Sequence, residues 1–219
     1  MWCVSQITEE YRQRMYALLE LYARPHDPQA PVICVDEKSK QLLEQTRPAL
    51  PAKPGAVAKE DYEYVRAGTC NIFVAVEPQG GRRHTTVTAR RAKPDFVAFI
   101  CGLLDTVYAS VQKIHLFVDN LNTHFAHCFQ EVLGPQAAAL VLARLEFHYT
   151  PKHASWLNMA ELEIGIMEKQ CTGRRLPSSQ IVAAELAAWQ QRRNDEKQTI
   201  EWTFTRADAD RKLSRHYVA

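Results

Sequence analysis

The sequence of 219 residues lacks several features that would place it in a special class of protein. No apolar run approaches the roughly 18 residues that a membrane-spanning helix needs. Its first residues lack the basic segment and apolar stretch of a signal peptide, so no secretion signal is expected. Neither sign of charge dominates, because the sequence has 27 Lys and Arg residues and 25 Asp and Glu residues. That balance neither demands nor excludes a nucleic-acid partner, since local patches decide such binding.

The six cysteines are scattered along the sequence. No two cysteines form a C-x-x-C pair, and none clusters with histidine at zinc-finger spacing. We therefore expect reduced thiols in a cytoplasmic protein and no structural zinc site. The cysteines concerned are Cys3, Cys34, Cys70, Cys101, Cys128 and Cys171.

The apolar pattern predicts strands that alternate with helices. Short β-branched or aromatic runs predict strands at 32–35, 70–76, 85–89, 114–118 and 145–149, the second and third joined by a turn at 78–81. Helical spacing predicts helices at 8–24, 94–107, 123–132, from about 155, and 178–193. This order predicts an α/β fold with a mixed five-stranded sheet flanked by helices. Residues 1–30 would form an N-terminal helix and linker, and residues 31–219 the domain.

Two of the predicted strands end directly in an aspartate. Val32–Val35 is followed by Asp36, and Ile114–Val118 by Asp119. If these strands are parallel neighbours, both carboxylates lie at the carboxyl edge of the sheet, where α/β proteins bind ligands. Two like charges at close range favour a cation between them, and oxygen ligands favour magnesium or manganese. The alternative is that each aspartate serves only in a turn or helix cap.

Three segments of the sequence resemble a known family. These are Val35-Asp36-Glu37-Lys38, Val118 through His124, and Thr150 through Glu161. In this order they resemble the catalytic core of bacterial insertion-sequence transposases of the mariner-like superfamily, the DDE endonucleases of the insertion-sequence six-thirty group. The resemblance covers about residues 20 to 215.

The resemblance implies a ribonuclease-H-like fold and an Asp-Asp-Glu triad of Asp36, Asp119 and Glu161. These residues would hold two Mg²⁺ or Mn²⁺ ions, with Asp36 bridging them, for in-line displacement at phosphorus. The implied function is hydrolysis of DNA at transposon ends and transfer of the 3′ hydroxyl into target DNA. Homodimerisation is also a family expectation. Intact members carry N-terminal helix-turn-helix units, for which the roughly 30 residues before the first strand leave no room.

Helical geometry and the family motif point to different residues as the third acid. Trp156, Ala160 and Ile164 define the apolar face of the predicted helix, and Glu163 falls within that face while Glu161 lies on its flank. Helical spacing alone therefore nominates Glu163, whereas the family motif nominates Glu161. We favour Glu161, because an active site at the edge of the sheet would meet the flank of the helix.

Several basic residues are candidates for contacts with DNA. Lys152 and His153 precede the Glu161 helix, and His124 follows the second acid. Arg82 and Arg83 belong to a hairpin segment without acids, which fits either a phosphate-binding surface or a charged sheet edge. Solvated loop residues and helix capping are the alternatives for the other three.

Two other functions remain open at this point. The chain could be a different ribonuclease-H-like nuclease, or a non-catalytic remnant that pairs with full-length transposase and inhibits it. The presence of all three acids disfavours simple loss of chemistry.

Overall fold

The computed structural model describes residues 6–59 and 61–218. The strands are β1 Val32–Gln45, β2 Tyr64–Glu77, β3 Arg82–Thr88, β4 Ile114–Val118 and β5 Leu145–Tyr149. The α-helices are α1 Glu9–Tyr22, α2 Lys93–Asp105, α3 His127–Leu133, α4 Pro135–Leu142, α5 Met159–Met167, α6 Ser179–Asp195 and α7 Arg206–Leu213. A 3₁₀ turn at Ser155–Leu157 leads into α5, and a π-helical turn at Glu168–Thr172 follows it.

The strands form one sheet in the order β3-β2-β1-β4-β5. β1, β2 and β3 pair antiparallel, whereas β1, β4 and β5 pair parallel. The antiparallel part follows from the hairpin between β2 and β3, and the parallel part from helices that cross over between strands. The predicted mixed five-stranded sheet flanked by helices is confirmed.

The prediction that the first strand ends at Asp36 is wrong. β1 continues to Gln45, because its second half pairs with β2 as far as the Gln45–Tyr64 pair. The polar residues after Val35 had suggested the end of a buried strand. They instead belong to a half-exposed antiparallel ribbon, in which polar side chains are accommodated on the open face. The short helices α4 and α7 were also not predicted.

Both faces of the sheet are covered. On the first face, α2, α3 and α4 pack against residues such as Ile33, Val35 and Leu116. The second face packs α1 and α7 against Cys34 and Phe117, and α5 and α6 against the Ile72 side of β2. The carboxyl edge of the parallel strands is therefore reached on its second face by the start of α5.

Helix α1 belongs to the second face. Met15, Leu18 and Leu19 are buried in the same cluster as Phe117 and Leu157. The position of a domain boundary at residue 30 stays a prediction.

The described cysteines are free thiols: Cys34, Cys70, Cys101, Cys128 and Cys171. Cys3 and the proposed absence of a signal sequence concern residues outside the described ranges. Across residues 6–59 and 61–218, none of the helices has the length and apolar character to cross a membrane.

Candidate active site and metal centre

The two aspartates lie at the same end of the sheet. Cys34 of β1 pairs with Phe117 of β4 in parallel register, and both side chains face α1. Asp36 and Asp119 each lie two residues further along the chain. This parallel register places both residues at the carboxyl end of the sheet, close enough for the charge of Asp119 to raise the pKa of Asp36.

Glu161 is brought to the same edge by the way α5 begins. The side-chain oxygen of Asn158 accepts a hydrogen bond from the Ala160 amide, 3.1 Å away, and so caps the helix. The Asn158 amide nitrogen donates to the carbonyl of Val35 at 3.0 Å. The first turn of α5 is thereby fixed to the backbone of the residue before Asp36. Ala160 is buried beneath this turn and Glu161 is exposed beside it.

The electrostatics of Asp36 reflect this crowding of acids. Burial of the carboxyl raises the pKa of Asp36 to about 7, against a hydrogen bond from the Glu37 amide that lowers it. The charges of Glu37, Asp119 and Glu161 raise it further. Carboxylates this close repel one another unless a cation lies between them. An oxygen-only donor set suits a hard divalent cation such as Mg²⁺ or Mn²⁺, so Asp36, Asp119 and Glu161 fit such a metal.

The expectation that His124 contacts DNA needs correction, because its side chain is buried beneath the site. Its fully buried ring lies against Phe96, with ring centroids 4.5 Å apart. Nδ1 is 2.6 Å from Oδ1 of Asp119, and Nε2 is 3.1 Å from Oε2 of Glu37. The second contact is misaligned for a hydrogen bond, so it is an ion-pair contact. Burial lowers the pKa of His124, but its hydrogen bond with Asp119 and its ion-pair contact with Glu37 outweigh burial and raise it to about 9.

Glu163 has a different role from Glu161. Its carboxylate is fully buried, with Oε1 3.0 Å from Nε of Arg83 and 2.7 Å from Nε of Arg193. Oε2 accepts further bonds from both guanidinium groups at 3.1 and 3.3 Å. Helical spacing correctly identified Glu163 as an inward-facing acid that needs a partner. That partner is a pair of arginines from β3 and α6.

The expectation that Arg83 contributes to an exposed phosphate-binding surface needs correction. Its guanidinium group is fully buried against Glu163. A two-residue alternation in β3 turns Arg83 inward and leaves Arg82 exposed. Arg82 lies opposite Glu77 in the register of β2 and β3, and Glu77 lies beside the start of β1. The structure therefore does not bring either arginine to the acidic cluster.

Lys152 and His153 occupy the loop between β5 and the Glu161 helix, and both are exposed. They line one cleft together with Asn120, which directly follows Asp119. Residues of α1, including Arg14, form its opposite wall. Lys152 and His153 thus lie beside the carboxyl edge of the sheet, and their contact with DNA stays a prediction.

Sequence reasoning assigned no role to two residues of this site. Asn158 carries a local signal, because asparagine directly before a helix is a favoured N-cap. Glu37 carries none, since its contact with His124 depends on how β1 and the segment after β4 are placed in space.

Comparison with known proteins supports this description. A family model described as DDE superfamily endonuclease matches residues 31–182. No curated protein sequence matches the chain. Members of the matched family use divalent metal ions.

The structure is similar to solved structures of Mos1. The Mos1 strand transfer complex gives a TM-score of 0.66 at 14% identity, covering 95% of this chain and 61% of that chain. The Mos1 transposase paired-end complex with left transposon end gives 0.62 at 14% identity, covering 99% and 65%. The Mos1 mariner paired end complex with Mn gives 0.60 at 15% identity, covering 90% and 60%.

The likeness to Mos1 identifies the fold as ribonuclease-H-like. The chain spans less than two thirds of the Mos1 chains it matches. The family model, in contrast, matches by sequence and covers both aspartates and Glu161. Since that match extends over more than half of its residues, the chain belongs to the DDE superfamily endonuclease family.

Proposed function

We propose that this chain is the catalytic domain of a DNA transposase that hydrolyses phosphodiester bonds at transposon ends and transfers the 3′ hydroxyl to target DNA. The observation that carries the proposal is that Asp119 and Glu161 lie near enough to Asp36 for their charges to raise its pKa. Membership of the DDE superfamily endonuclease family supports it.

The proposed metal ligands are Asp36, Asp119 and Glu161, and we propose that they hold two Mg²⁺ or Mn²⁺ ions. Divalent ions held in this way stabilise the attacking and leaving oxygens of an in-line displacement at phosphorus. Two of these ligands have supporting contacts from other side chains. His124 holds the Asp119 carboxylate through a 2.6 Å contact, and Asn158 fixes the helix turn that carries Glu161. Such supporting contacts orient ligands and tune their basicity.

Lys152 and His153 are the best placed residues for phosphate contacts. Both are exposed in the cleft that adjoins Asn120. Cationic side chains at such positions fix the register of a DNA backbone without reading its sequence. Mos1 transposase forms paired-end complexes with transposon ends, and by analogy we propose that this chain acts on DNA ends as a homodimer.

The proposal is tested by cleavage of supercoiled plasmid with purified protein in Mn²⁺ or Mg²⁺. The wild type is expected to produce nicked and linear DNA, whereas Asp119→Asn produces neither. Asp105→Asn is the matched control, because Asp105 is an exposed aspartate at the end of α2, away from the carboxyl edge. Cleavage that persists in Asp119→Asn would contradict the assignment of the carboxylate site.

Two further measurements separate the alternatives. Preference for an RNA–DNA hybrid over duplex DNA would identify a different ribonuclease-H-like nuclease. A folded wild type that binds Mn²⁺ but does not cut would favour a non-catalytic partner of full-length transposase. Sedimentation with and without DNA tests the homodimer.

A further inference from the structure

A second group of potential metal ligands lies on β4 and β5, apart from the acidic edge. His115 lies directly opposite Glu146 in the parallel ladder of these strands. His148 lies two residues beyond Glu146 and therefore points to the same face of the sheet. Neighbouring strands thus present two imidazoles and one carboxylate side by side.

The distances among their polar atoms are those of a metal site. Nδ1 of His115 is 3.0 Å from Nε2 of His148. The Glu146 oxygens lie 3.6 Å from that Nδ1 and 3.5 Å from that Nε2. An ion bound tetrahedrally at about 2.0–2.1 Å from each ligand separates its ligand atoms by about 3.3 Å. The observed separations bracket this value.

The surroundings leave the group accessible. Side-chain exposure is 14% for His115, 19% for His148 and 49% for Glu146, so solvent reaches the carboxylate side. Burial lowers the pKa of His148, and the charge of Glu146 raises it. The charges of His115 and Arg24 lower it further. A neutral imidazole is the form that binds metal. The positive charge of Arg24, which also acts on His148, opposes a bound ion.

A hydrogen bond between the two rings would account for the 3.0 Å contact alone. It does not account for the two carboxylate oxygens, each held at 3.5–3.6 Å from a different ring nitrogen. A single cation placed among the three side chains satisfies all of them at once.

We propose that His115, Glu146 and His148 bind one transition-metal ion of the Zn²⁺ class. Two imidazoles and a carboxylate are a borderline donor set, which prefers Zn²⁺ and its neighbours to Mg²⁺. His115 precedes Asp119 by four residues, about 13 Å along an extended strand, so the site is separate from the acidic edge. The ion would link β5, the edge strand, to β4. This inference does not depend on the proposed function.

The test is Zn²⁺ and Co²⁺ binding to the untagged, metal-stripped full chain, since a histidine tag would itself bind these ions. Titration calorimetry gives the stoichiometry, and the visible spectrum of bound Co²⁺ reports its geometry. Because the acidic edge would also bind these ions, we expect one ion per chain in an Asp119→Asn background. His115→Gln, His148→Gln and Glu146→Gln should each weaken binding about tenfold or more. His127→Gln is the matched control, because His127 also lies near a glutamate, with Nε2 3.6 Å from Oε1 of Glu131.

Hydrogen exchange of residues 145–149 provides a second readout. Zn²⁺ should slow this exchange in the wild type and in Asp119→Asn, but not in Glu146→Gln. Glu146 is half exposed, so its variant is expected to fold, and circular dichroism checks this. A folded wild type that binds no Zn²⁺, or binding that all three ligand variants retain, would overturn the proposal. Loss of binding in Asp119→Asn alone would place the ion at the acidic edge and also overturn it.

Discussion

Asn158 donates a hydrogen bond to the carbonyl of Val35 while its side-chain oxygen caps α5. One buried amide therefore joins the helix that carries Glu161 to the strand that carries Asp36. This connection makes the position of Glu161 relative to Asp36 a property of the fold, since neither partner is in a mobile loop.

Asn158→Ala should therefore reduce both stability and activity. The variant loses a helix cap and leaves the Val35 carbonyl without its partner, which together cost about 1–3 kcal/mol. Urea unfolding measures the loss, and plasmid nicking measures the activity. Ser178→Ala is the control, because Ser178 caps α6 through the Ile181 amide, away from the acids. Equal nicking by the two variants, at equal folded fraction, would argue against a positioning role for Asn158.

Glu161 and Glu163 should respond in opposite ways to the same substitution. Glu161→Gln is expected to abolish metal-dependent cleavage with a stability change within about 0.5 kcal/mol, because the side chain is exposed. Glu163→Gln is expected to cost about 3–5 kcal/mol, because it leaves Arg83 and Arg193 buried without a counter-charge. Urea unfolding and nicking assays distinguish the two. A stable, inactive Glu163→Gln protein would reverse the assignment of the third acid.

Divalent metal should stabilise the wild type through the acidic cluster. At 100 times its dissociation constant, Mn²⁺ is expected to add about 2.7 kcal/mol to the free energy of unfolding. Asp36→Asn should lose most of this gain, yet its metal-free form should unfold at a temperature no lower than that of the wild type, since one repelling charge is removed. Thermal unfolding with and without Mn²⁺ measures both quantities. The idea fails if Mn²⁺ stabilises Asp36→Asn as strongly as the wild type.

Stability of the metal-free protein should decline at alkaline pH through His124. The pKa of this residue is raised from 6.5 to about 9 in the folded protein, so the folded state holds the proton more tightly. The contribution of His124 to the free energy of unfolding is therefore fully present below about pH 6.5 and is lost as the pH rises through 9. The slope reaches at most about 1.4 kcal/mol per pH unit. Urea unfolding between pH 6 and 9.5 should show a shallower decline for His124→Gln than for the wild type. His127→Gln, a variant of an exposed histidine, should keep the wild-type slope.

Local signals in the sequence determined most of the elements. The apolar runs before Asp36 and Asp119 predicted buried strands, and both are present in the sheet. The helical spacing around Ile164 correctly predicted that Glu163 points inward. The prediction of where β1 ends was wrong. A polar residue after an apolar run looks the same whether the strand stops or continues as a half-exposed ribbon.

The sequence by itself thus determined the types and order of the elements, the family motifs and the candidate acids. The tertiary structure alone decided which side chains meet. It paired Glu163 with Arg83 and Arg193, placed His124 between Asp119 and Glu37, and gathered His115, Glu146 and His148 on neighbouring strands. Periodicity specifies the face on which a side chain lies. Contacts between residues distant in the chain depend on strand order and register, which pairing and packing of the whole sheet establish.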